Sequence, residues 1–155
     1  MLYTDIMWVE NLVGGSTKMK TSTTGAVAIK TGDPLKECAT DDLLIPITAV
    51  DDCVVGVALH DSAIGASIKY VPSYPWNVFA IKTTTGCEYD ASDDQFNKCD
   101  FSVFTSGAMT IAPGTCAGAL GDVLLLGLAD GEADDTDLNV ALCIFMDTPY
   151  TNTAR

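Results

Sequence analysis

The stretch Leu43-Leu44-Ile45-Pro46-Ile47-Thr48-Ala49-Val50-Asp51-Asp52-Cys53-Val54-Val55-Gly56-Val57-Ala58-Leu59 decides the fold class. Two apolar runs flank an acidic pair. Asp-Asp is a two-residue turn signal, so the runs read as strands of a hairpin. Pro46 has no N–H for a ladder, which marks the first run as an edge strand or one with a bulge.

The same rhythm of short apolar run and turn extends outward in both directions. Upstream, Gly25 to Ile29 alternates in the strand manner and stops at Thr31-Gly32-Asp33-Pro34. Downstream come a turn at Ala63 to Ala66, a strand at Ser67 to Val71 and, after Tyr74-Pro75, a strand at Trp76 to Ile81. An acidic loop, Asp90 through Asp94, lies between Cys87 and Cys99. Phe101 to Phe104 and Ala108 to Ile111 form a second hairpin around Thr105-Ser106-Gly107. Ala117 to Gly121 fits a short helical turn, Val123 to Leu128 a fully buried strand, and Leu138 to Met146 the last strand. Eight to ten strands at spacings near ten residues predict an all-β domain, a small barrel or sandwich.

Composition agrees. Of 21 acidic residues, seventeen are Asp, which prefers turns and caps to helix interiors. Thr, Val and Gly are abundant, and 48% of the 155 residues are hydrophobic, enough for a core. The organisation expected is an N-terminal arm and flexible connector over residues 1–24, a β domain over 25–147, and a polar tail over 148–155. The arm is apolar (Leu2, Tyr3, Ile6, Trp8) and is tethered by Gly14-Gly15-Ser16. Its removal, residues 1–17, is expected to leave a folded core; an ordinary first strand packed on its own domain is the equal alternative.

A net charge of −13 with eight basic residues argues against nucleic acid and against an anionic membrane surface as partners. No run approaches the roughly 18 apolar residues of a membrane span, and Asp5 and Glu10 without early Lys or Arg do not read as a signal peptide. Catalytic motifs are missing. The one histidine, in Leu59-His60-Asp61-Ser62, reads as a turn residue, because neighbours in sequence do not converge as a relay does. The six cysteines contain no Cys-x-x-Cys, so no zinc site is expected. Cys53 and Cys143 read as buried thiols, and Cys87 with Cys99 is the one pair that a hairpin could join. Asp130 to Asp137 departs from a calcium-binding helix-loop-helix pattern and reads as a solvated turn, so no metal or cofactor is expected.

Taken in order, several short elements resemble the small β-rich decoration, or cement, proteins of tailed-phage capsids. They are Thr31-Gly32-Asp33, Val55-Gly56-Val57-Ala58, Ala63-Ile64-Gly65-Ala66, Asn77-Val78-Phe79-Ala80-Ile81-Lys82, Glu88-Tyr89-Asp90 and Gly121-Asp122-Val123, followed by the final strand. The six cysteines and the aromatic Pro72-Ser73-Tyr74-Pro75-Trp76 depart from that pattern. The resemblance implies a structural virion protein, made in the host cytoplasm and bound to the outer capsid surface. It implies no enzyme activity, the major capsid protein as partner, and a homo-oligomer, a trimer being favoured. Leu2, Tyr3, Ile6, Trp8, Tyr74 and Trp76 are the residues expected at capsid or subunit contacts. Tyr74 and Trp76 equally suit stacking on sugar, which leaves a carbohydrate- or host-receptor-binding module as the alternative. A small β enzyme with a carboxylate pair is a third reading.

Overall fold

A computed structural model describes residues 6–12, 19–115, 121–129 and 139–150. Among them the chain is all-β, with no helix and eleven strands in two antiparallel sheets. The strands are β1 (Met7–Asn11), β2 (Lys20–Thr23), β3 (Pro34–Glu37), β4 (Leu44–Pro46), β5 (Gly56–Ala58), β6 (Ser67–Pro72), β7 (Asn77–Lys82), β8 (Lys98–Val103), β9 (Thr110–Ala112), β10 (Val123–Leu128) and β11 (Val140–Phe145). One sheet has the order β1-β7-β11-β10-β8-β9 and the other β2-β6-β5-β3-β4.

The two sheets pack face to face. Phe79, Ile81, Phe101, Ile111, Val123, Leu125, Cys143 and Phe145 of the larger sheet share one core with Val57 and Val71 of the smaller and with Ile47 and Val54 beside it. β7 is buried from Asn77 to Ile81. Its odd positions, Phe79 and Ile81, face this core, while Ala80 packs with Val140 and Ala129 in a second cluster. That is the period-2 alternation of a strand covered on both sides. Phe79 meets Phe145 edge-on at a centroid distance of 5.1 Å.

Most of the expected strands form, but the pairing that opened the reading differs. The runs around Asp51-Asp52 are not a hairpin: β3 lies between β4 and β5 and pairs with both. The turn itself is real. Asp51 takes φ 62°, and the Asp52 carboxylate accepts the N–H groups of Thr48 (2.8 Å) and Ala49 (3.0 Å) and the Lys36 ammonium (2.7 Å). Those bonds fold the chain after β4 back over Lys36, so that it crosses β3 before entering β5. Pro46 does lie in an edge strand. Pro34, read as a stop, begins β3, a position where proline's missing N–H costs no ladder bond. Gly25 to Ile29 contributes only an isolated bridge, Ile29 with Ser62. The β8–β9 hairpin closes as expected, with Gly107 at φ 78°.

The stretch read as an arm supplies two strands. β1 pairs with β7 and β2 with β6, each as the outer strand of its sheet, and Ile6 is buried in the shared core. Edge pairing across more than forty residues leaves no local signal in the segment itself. Of the elements read as turns, 117–120 and 130–137 lie outside the described residues.

Cys38, Cys53, Cys87, Cys99 and Cys143 are thiols, so Cys87 and Cys99 are not joined; Cys116 lies outside the described residues. Burial pushes the Cys143 thiol well above its ordinary pKa, with Cys99 adding to the effect. Gly56 is required by packing: a Cβ there would run into the Tyr70 ring and the Val71 carbonyl.

Two outcomes follow. Phe79→Ala should cost about 3–5 kcal/mol of unfolding free energy, read as a fall in the urea midpoint. A thiol reagent added without reductant should leave Cys99 and Cys143 unmodified in the native protein and label them only after unfolding. Mass spectrometry of the labelled peptides checks this.

Candidate functional site

β1 is the least covered strand of the molecule. Met7 is 44% exposed, and Trp8 and Val9 are each 38% exposed. Glu10 is its only charge, and Leu12 just beyond it is 54% exposed. An apolar edge strand with no Lys, Arg or Pro has only Glu10 and a bulge to discourage pairing with another chain. The register slips between Trp8 and Glu10, a bulge that turns the local side chains relative to β7. Beneath Trp8, a cleft of about 220 Å³ opens between the sheets, lined by Ile6, Met7, Val57, Leu59 and Val71 among others.

The end of β1 meets a cluster of aromatic rings. The Leu12 N–H donates to the Trp76 carbonyl at 2.7 Å, where the chain enters β7. Trp76, 38% exposed, stacks on Tyr74 with centroids 5.0 Å apart and planes 23° apart. Tyr150 tilts against Tyr74 at 4.5 Å. Lys20 on β2 lies over both tyrosines, 5.5 Å from the Tyr74 centroid and 4.9 Å from that of Tyr150, and donates to the Tyr150 hydroxyl at 3.1 Å. That hydrogen bond, against the opposing effect of burial, holds the Lys20 ammonium above its ordinary pKa. Trp76 is thus backed by a braced stack, and its ring is presented in a fixed orientation.

Of the six expected contact residues, Tyr74 and Trp76 stack on one another, while Trp8, opposite Phe79 farther along β1, lines the inter-sheet cleft. Ile6 turns inward to the core, and Leu2 and Tyr3 lie outside the described residues. Reading the sequence missed Met7, Val9 and Leu12 as exposed neighbours, and missed Lys20 and Tyr150 as the braces of the stack. Tyr150 sits in the stretch read as a polar tail. A tyrosine close to the end of a β domain was the available signal.

The His60 segment shows why adjacency does not make a relay. His60 Nδ1 donates to the Asp61 carbonyl (2.8 Å), and Nε2 accepts the Lys69 N–H (3.1 Å), so the ring is engaged by backbone on both sides. The Asp61 carboxylate instead accepts the Thr31 N–H and hydroxyl and the Lys30 ammonium, which hold it down at about 2. Ser62 donates to the Ser67 carbonyl. Among the described residues no group of three or more His, Cys, Asp or Glu side chains is arranged to hold a metal ion, and no helix is long and apolar enough to cross a membrane.

Replacing Tyr150 by Phe should remove the Lys20 hydrogen bond while keeping the ring contact. A loss of about 0.5–1.5 kcal/mol in stability is expected, measured by urea unfolding. The chain matches no protein-family model and no curated protein.

Proposed function

We propose that this protein is a structural virion protein that decorates and stabilises the outer surface of a phage capsid, as a homo-oligomer, a trimer being the favoured form. Its partner on this reading is the major capsid protein, and the contact is made by β1 and the Trp76 stack. The observation that carries the proposal is the uncovered β1 edge beside a rigid aromatic platform. Exposed apolar side chains on an edge strand suit strand addition or docking against another protein. The charge supports it too. At −13 the free chain stays soluble and orients toward a less acidic surface. The order of short elements that resembles decoration proteins adds the capsid to this reading. The Trp76 face also favours a second reading, a carbohydrate- or host-receptor-binding module, since a fixed indole plane suits a sugar ring.

Many copies on a lattice gain from multivalency, so binding should be much tighter to assembled shells than to isolated capsid subunits. Trp8→Ala and Trp76→Ala are the informative variants, because both side chains are partly exposed. Deleting residues 1–17 would also remove β1 and the buried Ile6. Each Ala variant should remain folded and weaken co-sedimentation with purified shells, by about 2 kcal/mol where the ring is an anchor. Unchanged sedimentation in both variants counts against this contact surface. Failure of the full protein to sediment with any shell, combined with retention on a glycan array lost in Trp76→Ala, replaces the capsid reading with the sugar-binding one.

A further inference from the structure

The crossover that leads from β4 to β5, residues 47–55, is fastened to the larger sheet through one side chain. Asp122, 3% exposed, accepts the Asp51 N–H at Oδ1 (2.9 Å) and the Phe101 N–H at Oδ2 (2.8 Å). Its own N–H donates to the Cys99 carbonyl at 3.1 Å, and its carbonyl accepts the Met146 N–H at 2.9 Å. One residue therefore gathers the crossover, β8, the start of β10 and the end of β11.

Among the described residues, the charged groups around this junction are nearly all of one sign. Asp51 comes from the crossover. Asp100, 4% exposed, comes from β8; extending the Val123↔Cys99 register by one residue places it opposite Asp122. Asp147, 5% exposed, follows β11, and its carbonyl accepts the Val54 N–H of the crossover. Lys98, two residues from Asp100, is the one cation on β8 and pairs with Leu124. A buried carboxylate set among carboxylates is better accommodated neutral than charged.

We propose that Asp122 is a proton-operated clasp, which holds the 47–55 crossover against the larger sheet more firmly when protonated and lets it open more readily when ionised. Burial raises the Asp122 carboxyl to about 6. The Phe101 and Asp51 N–H groups oppose that rise, and the Asp100 and Asp51 charges add to it. An opened crossover exposes the carboxyl to water, where its pKa falls toward the ordinary value of about 3.9. The closed form therefore binds the proton more tightly than the open form, so closure is favoured as pH falls through 6 and disfavoured above it. With about 3.9 as the open-state limit, opening should become up to roughly tenfold rarer between pH 7.5 and pH 5.

The test uses the full chain. Carboxyl-carbon NMR should show Asp122 titrating near 6. After correction for intrinsic exchange, the Asp51 and Phe101 amides should gain protection on acidification. Asp122→Asn should remove most of that gain, while Asp51→Asn, tolerated at the left-handed φ, should shift the Asp122 midpoint downward. A midpoint near 4 overturns the proposal even where Asp122→Asn fails to fold, because it is read on the unmodified protein. An equal gain in protection in Asp122→Asn also overturns it, since the general relief of negative charge would then be the cause.

Discussion

Strands of three to six residues, joined by long connections, leave much of the backbone outside any ladder. Buried N–H groups must still find acceptors, and short carboxylate side chains supply them at the junctions. Asp33, 1% exposed, takes the Lys30 N–H at 2.8 Å and the Ser106 hydroxyl at one oxygen, and the Gly107 N–H at 2.7 Å at the other. It thereby ties the turn before β3 in one sheet to the β8–β9 turn in the other. Asp52 organises the turn after β4, and Asp122 fastens the crossover. Asn139 does the same with an amide, accepting the Tyr89 N–H and donating to the Tyr89 carbonyl. The sandwich is held by its aromatic core, but its connections are held by these side chains. Glu, one methylene longer, would cost more rotamer freedom at each such site.

This explains what the sequence displayed and what it hid. The surplus of Asp over Glu announces a turn-rich β protein, because Asp is the residue that grips nearby amides. It does not announce which amides. Asp33 to Gly107 and Asp122 to Asp51 are bonds across more than seventy residues, so no window of sequence contains both partners. The β8–β9 hairpin was legible because strands, turn and left-handed Gly107 are contiguous. The Asp51-Asp52 hairpin was misread for the converse reason: the turn is local, but the partner of each flanking run is β3.

The candidate surface divides in the same way. Trp8, Tyr74 and Trp76 could be picked out singly, as aromatics next to prolines or near a terminus. Only Tyr74 and Trp76 meet; that the end of β1 joins them depends on β1 pairing with β7, and the bracing of the stack depends on β2 and Tyr150. Lys20 and Tyr150 are 130 positions apart. An apolar pattern cannot tell Ile6 from Met7, yet one is 5% exposed and the other 44%, because strand alternation sends only one of them between the sheets.

An uncovered apolar edge on an acidic chain poses a further question of balance. Strand β1 lacks positive charges or prolines that would discourage a second copy from pairing with it. Copies that did pair would carry −13 each, but at physiological salt only charges within roughly the 8 Å Debye length repel appreciably, so the charge on or beside the strand, such as Glu10, counts most. Acidic charge near the strand thus does for β1 part of what gatekeeper residues do for other edges. A neutral or basic partner would meet no such penalty. Self-association through β1 then needs either a template that supplies compensating positive charge or conditions that lower the net charge. Lower pH provides the second while it protonates Asp122, so loss of mutual repulsion and tightening of the crossover act in the same direction.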